Sequence, residues 1–143
     1  MNKYLLIIFL IIFSTRLLGE TITIDDLVIT KGIYYKKFSI EPFNGEVTGI
    51  ETGKFKNGIK QGRWLLLYNN GRLKKLVDYM DGIFDGDYEL YRRNGNLIEK
   101  GGYKNGLQDG LWKFYSIEEI LNKTKLIKMG NDMVYFRILK TNR

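Results

Sequence analysis

The feature that most constrains this chain is a pattern of residues that recurs every 24 positions. The first column of the pattern is glycine, at Gly58, Gly82, Gly106 and Gly130. A second glycine column follows four residues later, at Gly62, Gly86 and Gly110. The third column is aromatic, at Trp64, Tyr88, Trp112 and Phe136. Columns that stay in step without a gap predict tandem copies of one small unit, each of which buries its apolar surface against its neighbours.

The turn residues indicate that each unit is a β-hairpin. Asn-Gly dipeptides begin at Asn44, Asn57, Asn70, Asn94 and Asn105, and Asp81-Gly82 is the equivalent in the remaining unit. Both central residues of a type I′ turn need positive φ, which Asn, Asp and Gly tolerate better than other residues. We therefore predict type I′ turns at these dipeptides, with strands of about six to eight residues between them.

The predicted fold class is all-β. We expect an elongated, twisted antiparallel meander of tandem 24-residue β-hairpin repeats, preceded by a signal-peptide helix. Alternation along the strands places Trp64, Tyr88 and Trp112 in one row, and we assign this row to the core because each hairpin needs an apolar surface to bury. The glycines of the two columns are assigned structural roles in the hairpins.

The predicted domain boundaries follow from where the pattern weakens at either end. Residues 1–19 are the signal peptide, residues 20–52 form an N-terminal cap with a degenerate first repeat, and residues 53–143 carry the hairpin repeats and a degenerate C-terminal cap. In the last unit Glu119 and Val134 replace pattern glycines, and the stretch from Ser116 to Asn122 is expected to form a short helical turn or a longer loop. Terminal units of a repeat array are expected to differ in this way, because they cap the sheet and blunt its edges.

The opening segment has the order of a secretory signal peptide: the basic Lys3, the apolar run from Tyr4 to Phe13 and the small residue Gly19. Ten apolar residues on a helix span about 15 Å, half of the roughly 30 Å hydrocarbon core that a membrane helix must cross. We therefore expect cleavage near Gly19 and export to the periplasm, the cell surface or the medium. The alternative is an uncleaved N-terminal membrane anchor, in which Leu17 and Leu18 lengthen the apolar stretch.

Missing residue types exclude several chemistries. The chain contains no Cys and no His, and therefore has no thiol nucleophile, no imidazole base and no ordinary zinc site. The acidic run from Asp81 to Asp87 lacks the spacing of an EF-hand loop, and its aspartates fall on turn columns, where Asp beside Gly is expected in any case. We therefore predict that the protein is not an enzyme and has no catalytic residues, no metal site and no cofactor.

Charge and aromatic residues predict a binding surface. Of 23 basic and 16 acidic residues, Lys3 and Arg16 leave with the signal peptide, so the remaining chain carries a net charge of +5. Tyr91 and Tyr115 repeat on the face opposite the predicted core row, bordered by Arg92 and Lys113. Aromatic anchors beside cations are the usual makings of a binding hot spot. These four residues are the predicted binding residues, and we expect replacement of both tyrosines by alanine to weaken binding more than stability.

The expected partner is an unidentified protein, bound as part of a protein assembly or at the surface of the cell envelope. An anionic cell-wall polymer or an anionic membrane surface is the alternative, because the positive charge attracts both. Nucleic acid is not expected as a partner outside the cell. The column of aromatic residues leaves a second alternative open, in which the row of Trp64, Tyr88 and Trp112 stacks against sugars in place of forming the core.

The repeat resembles the MORN-repeat variant. The resemblance rests on the unit from Gly53 to Leu73 and on its copies from Tyr79 to Leu97 and from Tyr103 to Tyr115. It implies a β-hairpin array that attaches to proteins or membranes and has no catalytic residues of its own. Some bacterial members carry the label of an antitoxin family, which would imply binding and neutralising a partner toxin. Export argues against that role here, since an antitoxin for a cytoplasmic toxin would be outside the cell.

Overall fold

The structure is a computed structural model that describes the backbone of residues 21–116, 121–127 and 135–137, and the side chains of residues 21–116. The predicted signal peptide, residues 1–19, lies outside the described residues, as do Glu119, Gly130 and Val134 of the last unit. One turn of 3-10 helix, Ile24–Asp26, precedes the strands. In the described part of the chain, no helix is long and apolar enough to cross a membrane.

The fold is an all-β antiparallel meander. Strands β1 (Leu27–Thr30) and β2 (Ile33–Lys36) form a separate two-stranded sheet. The remaining strands form one nine-stranded sheet in chain order: β3 (Gly45–Val47), β4 (Glu51–Lys56), β5 (Ile59–Leu67), β6 (Leu73–Met80), β7 (Ile83–Tyr91), β8 (Leu97–Lys104), β9 (Leu107–Tyr115), β10 (Leu121–Ile127) and β11 (Tyr135–Arg137). The all-β class and the antiparallel meander predicted from the sequence are therefore confirmed. Strand β10 begins inside the stretch expected to be a loop or helical turn, so that prediction is wrong for Leu121 and Asn122.

The turns that join β4 to β5, β6 to β7 and β8 to β9 have the backbone conformation expected of type I′. Both central residues have positive φ at Asn57-Gly58 (51° and 70°), at Asp81-Gly82 (48° and 80°) and at Asn105-Gly106 (50° and 79°). Lys31-Gly32, between β1 and β2, has the same conformation with φ of 50° and 81°. Sequence reasoning missed this turn, because Lys is not a preferred residue at positive φ.

At the opposite ends of the strands, the type I′ prediction is wrong. At Asn70-Gly71 and Asn94-Gly95 only the glycine has positive φ. The amide of Gly71 donates to the carbonyl of Tyr68 at 2.8 Å, and the amide of Tyr68 donates to the carbonyl of Arg72 at 2.8 Å. These bonds close a three-residue loop with glycine in the left-handed region, a common hairpin connection.

The type I′ prediction is also wrong at Asn44-Gly45. Gly45 starts β3 with a φ of 154°, and Asn44 does not have positive φ. The side chain of Asn44 instead accepts a hydrogen bond from the amide of Asn57 at 2.8 Å. This asparagine therefore supports a neighbouring turn and does not form one.

The second glycine column lies at bulges within the strands. Between β4 and β5 the pairing passes from Thr52–Leu65 to Lys54–Gln61, so three residues, Gly62 to Trp64, lie opposite the single residue Gly53. The pairing of β6 with β7 passes over Gly86 in the same way, and that of β8 with β9 passes over Gly110. The φ values of Gly62, Gly86 and Gly110 are 65°, 119° and 72°, a conformation that side chains with a Cβ rarely adopt.

The core is a continuous run of aromatic rings on one face of the sheet. The predicted core row is buried, with 3% of Trp64, 9% of Tyr88 and none of Trp112 exposed. Ring centroids lie 4.9 Å apart between Phe55 and Trp64 and 5.5 Å apart between Tyr88 and Trp112. Aromatic contacts of this kind add stability beyond the area that they bury, about 0.5–1.5 kcal/mol each.

Each indole of the core row lies against a glycine of the preceding strand. A Cβ added at Gly53 would lie 2.2 Å from the Trp64 ring, and one added at Gly101 would lie 2.3 Å from the Trp112 ring. The same position in the middle unit is Val77, whose partner in the row is the smaller Tyr88. Two glycine–tryptophan pairs therefore flank one valine–tyrosine pair, and side-chain volume is compensated between adjacent strands.

Candidate binding face

One face of the sheet is aromatic from β4 to β9. Directly opposed residues point to the same side of a sheet, so Trp64, Val77 and Tyr88 share this side. We call this surface the aromatic face. Its ring-bearing residues are Phe55, Trp64, Tyr79, Phe84, Tyr88, Tyr103, Trp112 and Phe114.

Several rings of the aromatic face keep part of their surface accessible. Tyr79, Phe84, Tyr103 and Phe114 are only half-buried. The principal contacts between strands join only neighbours in the same sheet. At one end Tyr34 of the small sheet packs against Phe55, with ring centroids 4.7 Å apart. Among residues 21–116 the middle of this face therefore has no second layer of strands packed on it.

Most neighbouring rings on this face meet edge to face, whereas Trp112 and Phe114 are stacked with an interplanar angle of 29°. The interplanar angle is 74° between Trp64 and Tyr79, 70° between Tyr79 and Phe84, and 88° between Tyr103 and Trp112. A sugar that stacks on a protein needs a ring face that no neighbour covers. Edge-to-face packing directs the edge of one ring at the face of the next, so this geometry suits apolar packing better than a ladder of sugar-stacking platforms.

A charged pocket of about 110 Å³ interrupts the aromatic face between β4, β5 and β6. Lys60 donates to the carboxylate of Glu51 at 2.9 Å. The ammonium of Lys60 also lies 3.9 Å from the ring centroid of Trp64, a cation–π contact. Lys75 and Tyr79 line the same pocket. Two lysines and one glutamate therefore share a partly buried, aromatic-lined space.

Burial changes the titration of this pocket. Desolvation, followed by the nearby positive charge of Lys60, lowers the pKa of Lys75 below its ordinary value. Burial is also the main cause that raises the pKa of Tyr79 to about 12, with the carboxylate of Glu51 adding to it. Tyr79 is therefore a neutral phenol at neutral pH and can donate a hydrogen bond into the pocket.

The opposite face carries paired charges, and we call it the ion-pair face. Arg63 binds Asp78 through two hydrogen bonds of 2.9 and 3.0 Å and reaches Asp87 at 3.0 Å. Lys100 donates to Glu89 at 2.6 Å. Hydrogen bonding to Arg63 lowers the pKa of Asp78, and hydrogen bonding to Lys100 and Tyr91 lowers the pKa of Glu89. Most charges in the middle of this face therefore already have partners.

The predicted binding residues lie on or beside the ion-pair face. Tyr91 is half-buried, its hydroxyl donates to the carboxylate of Glu89, and its carbonyl accepts from the hydroxyl of Tyr68 at 2.7 Å. Burial and the bond to Glu89 raise the pKa of Tyr91 to about 12. Arg92 follows at the turn, where its backbone amide donates to Asn96 and its buried Nε has no hydrogen-bond partner among the described residues.

Tyr115 and Lys113 lie on β9 and are also half-buried. Lys113 is opposite Lys100 on β8 and opposite Thr124 on β10. Strand β8 separates Tyr115 from Tyr91. Hydrogen bonding to Glu89 is the main cause that raises the pKa of Lys100, and Tyr115 is the smallest of the causes that raise it. The two predicted tyrosines therefore share one face but flank a strand whose central lysine is already paired.

The aspartates of the run from Asp81 to Asp87 are used separately. Asp81 accepts from the side chain of Gln61 at 2.7 Å, and Asp85 accepts from the amide of Asn105 at 3.0 Å. Asp87 is held by Arg63. Within the part of the chain that the structure describes, no group of three or more acidic side chains is arranged to hold a metal ion.

Sequence reasoning missed the charged pocket. A usable signal existed for Lys75, because it lies two positions before Val77 and alternation places the two on the same face. The partner of Lys60 could not be found in this way. Glu51 reaches Lys60 across a bulged strand pair, and bulges change which residues lie opposite each other.

Comparison of the chain with protein-family models, with curated proteins and with solved structures finds no match in any of the three. The functional argument therefore depends on the geometry of the two faces.

Proposed function

We propose that this chain is an exported, non-enzymatic protein of tandem 24-residue hairpins, similar to the MORN-repeat variant, that binds a protein partner through its aromatic face. The observation that carries the proposal is the half-buried set of rings at the centre of a face that neighbouring strands leave uncovered. Aromatic residues such as these rings are enriched at protein interfaces. The charged pocket has two lysines and one glutamate, so its net positive charge favours a partner with a negative charge at this point.

The repeat part of the proposal is supported by the spacing of equivalent elements. Strands β5, β7 and β9 begin at Ile59, Ile83 and Leu107, and each contains nine residues. The amide of Gly82 donates to the carbonyl of Lys60 at 3.0 Å, and that of Gly106 donates to Phe84 at 2.9 Å. Both bonds join one hairpin turn to the strand of the preceding hairpin, as expected for a stacked array.

The aromatic face is a better binding candidate than the ion-pair face because of desolvation. A partner on the ion-pair face would have to displace or bury the network of Arg63, Asp78 and Asp87, whose charges are already compensated. A partner on the aromatic face covers half-exposed rings such as Phe84 and Tyr103, and their burial is favourable. The predicted site at Tyr91 and Tyr115 remains a competing prediction.

A protein partner is favoured over a polysaccharide by the edge-to-face rings. Binding between proteins does not require parallel ring platforms. The amino-acid composition of the chain argues against catalysis, since it contains no His and no Cys. Export is proposed from the order of basic, apolar and small residues in positions 1–19.

Photo-crosslinking in the native host tests which face binds. A photoreactive phenylalanine analogue placed at Phe84 or Gln108 lies on the aromatic face, and one placed at Leu111 or Met80 lies on the opposite side, where these residues are 52% and 58% exposed. We expect a discrete protein adduct from the first two positions and not from the last two. The adducted protein should then bind the purified parent chain in solution.

Two other outcomes would contradict the proposal. An adduct confined to Leu111 and Met80 would assign binding to the ion-pair face and favour the tyrosine site predicted from the sequence. Adducts from the aromatic face with a polysaccharide or a lipid would overturn the protein partner. Mass spectrometry of the N-terminus in the same preparation tests export, with a new terminus expected near Glu20 and an intact Met1 on cytoplasmic protein contradicting it.

An anionic membrane surface is a second candidate, favoured by one cluster of cations. The loops that join β5 to β6 and β7 to β8 carry Arg72, Arg92 and Arg93, and Lys74 lies near the start of β6. Lys74 and Arg93 lie 5.6 and 5.7 Å from the ring centroid of Tyr68. Clustered cations attract anionic lipids by about 1 kcal/mol each near the surface. Sedimentation with anionic but not zwitterionic vesicles, lost in Arg72→Gln with Arg93→Gln, would support this candidate; equal sedimentation would remove it.

A further inference from the structure

Lys75 occupies an unusual place for a lysine. It lies opposite Leu66 on β5 and opposite Leu90 on β7, in the middle of the aromatic face. The residue is half-buried. Its ammonium lies 5.7 Å from the ring centroid of Phe84. Among the described residues it forms no ion pair, so its charge is partly desolvated without a carboxylate bound to it.

Lys60 provides a comparison within the same pocket. Its ammonium is bound by Glu51 at 2.9 Å and lies over Trp64 at 3.9 Å. Glu51 is the one carboxylate among the residues that line the pocket, and it is bound by Lys60. The positive charge of Lys75 is therefore not balanced by a carboxylate of the pocket. Partial burial of a charge is costly unless an opposite charge compensates it.

Other charges near Lys75 do not supply that compensation. Glu51 favours the ammonium form, but Lys60 and Lys74 both disfavour it, and burial is the largest cause of the lowered pKa. A bound anion would reverse this balance, because an opposite charge within a few ångströms favours the charged amine. The phenol of Tyr79 lines the same space and can donate a second hydrogen bond to such an anion.

The size of the pocket limits the ligand. Its volume is about 110 Å³, whereas pockets for whole drug-sized ligands start at about 300 Å³. A side-chain carboxylate with its adjoining methylene groups is a compact anion that can enter from an apolar interface. A complete sugar ring or nucleotide would lie mostly outside the pocket.

We infer that the pocket lined by Lys60, Lys75 and Tyr79 binds the carboxylate of an Asp or Glu side chain from the protein partner. This inference rests on the proposed function, since it makes the acidic side chain the specific contact within a larger apolar interface. Lys75 supplies the charge, and Lys60 keeps its bond to Glu51. The rings around the pocket exclude water and strengthen the ion pair.

Binding of a small carboxylate to the full chain tests the site directly. The probe is N-acetylglutamate, and its neutral analogue N-acetylglutamine is the matched control. NMR of lysine-labelled protein should show a saturable shift at Lys75 with the acid alone, together with a rise in the pKa of Lys75. Lys104, which is exposed, is the internal control and should not follow the same curve. Absence of a saturable change at Lys75 would overturn the inference.

The variant Lys75→Met separates a binding lysine from a structural one. Methionine keeps the apolar stem and removes the desolvated charge, so the variant should melt at or above the temperature of the parent while losing the response to N-acetylglutamate. A markedly lower melting temperature would show that Lys75 has a structural partner and would overturn the inference.

The same variant distinguishes this inference from the proposed function. With the photoreactive residue at Gln108, Lys75→Met should reduce the partner adduct about tenfold or more, as expected when one member of a buried charge pair is removed. An adduct of unchanged yield would leave the aromatic face as the docking surface and overturn only the carboxylate site. If the protein with the photoreactive residue at Gln108 and native Lys75 formed no partner adduct, the proposed function itself would be overturned.

Discussion

The side chains on the two faces of the nine-stranded sheet are stabilised by different interactions. The aromatic face buries rings against one another, with Trp112 fully buried and in contact with Tyr88 and Tyr103. The ion-pair face pairs exposed charges across strands, as in the bonds from Arg63 to Asp78 and Asp87. Buried apolar area is worth far more than exposed ion pairs. The aromatic face therefore supplies most of the stability of the sheet, and under the proposed function it is also the surface that a partner covers.

Adjacent residues on β9 give the largest expected difference between the faces. Trp112 is fully buried, whereas Leu111 is 52% exposed on the other side. Trp112→Ala should lower the free energy of unfolding by about 3–5 kcal/mol, because it removes a large ring and leaves a cavity. Leu111→Ala should change it by no more than about 0.5 kcal/mol. Urea unfolding of both variants measures this difference, and equal losses would contradict the assignment of the faces.

Adjacent glycines on β8 give the next largest effect. A Cβ at Gly101 would lie 2.3 Å from the Trp112 ring, whereas a Cβ at Gly102 would meet nothing closer than 3.6 Å. Gly101→Ala should cost about 1–3 kcal/mol through overpacking. Gly102→Ala should be neutral or slightly stabilising, because alanine loses less backbone entropy on folding than glycine. Thermal unfolding followed by circular dichroism compares the two.

A compensating pair sharpens this test. Gly101→Val combined with Trp112→Tyr recreates the Val77–Tyr88 pair found one unit earlier. The double variant should be more stable than the sum of the two single changes predicts, with a coupling of about 0.5–3 kcal/mol. Additive losses would show that side-chain volume is not exchanged between these positions.

The turns supply a smaller effect that depends on backbone conformation. Gly106 has a φ of 79°, and its added Cβ would lie 2.9 Å from the Cγ2 methyl group of Ile83. Gly106→Val should cost at least about 1 kcal/mol, because β-branched residues are strained at positive φ. Gly106→Asn carries the same Cβ but tolerates this region, so it should cost less. Equal losses in chemical unfolding would place the effect in packing and not in backbone strain.

Substitutions on the ion-pair face are expected to change stability least at neutral pH. They should instead change how the melting temperature depends on pH. Arg63 holds the pKa of Asp78 below its ordinary value. The folded pKa is the lower one, so this contribution to stability is present above the unfolded carboxyl pKa of about 3.9 and is lost as the pH falls through the folded pKa. Asp78→Asn should therefore flatten the decline of the melting temperature below about pH 4.

Arg63→Met is the matching variant for that prediction. It removes the partner of Asp78 and should flatten the same acid limb. Combining the two changes should add little, because both remove one interaction. A melting temperature that declines with acid as steeply in the double variant as in the parent would show that this pair does not contribute.

Sequence reasoning reached the fold class because turn chemistry and strand alternation are local. Asn57-Gly58 and Asn105-Gly106 adopt the backbone conformation expected of these dipeptides. Asn70-Gly71 does not, although its sequence is the same kind of dipeptide, because the chain closes a three-residue loop from Tyr68 to Arg72. Loop length, which the dipeptide alone does not specify, decides between these turn types.

The sites that sequence reasoning missed depend on contacts between strands. The sequence contains Gly53 and Gly101, but their role follows from the indoles that lie over them. The pocket of Glu51, Lys60 and Lys75 depends on a bulged register between β4 and β5. Local residue preferences do not specify such a register, so neither feature could be derived from the spacing of residues alone.

The aromatic face forms the core of the sheet, and several of its rings keep part of their surface accessible. Hydroxyl-radical footprinting of the purified chain measures this most directly, since oxidation rates follow side-chain exposure. We expect Tyr79, Phe84 and Tyr103 to be oxidised at intermediate rates and Trp112 to be protected, with no change on dilution. Protection of all four residues to the same degree would show that another layer covers this face and would contradict the account.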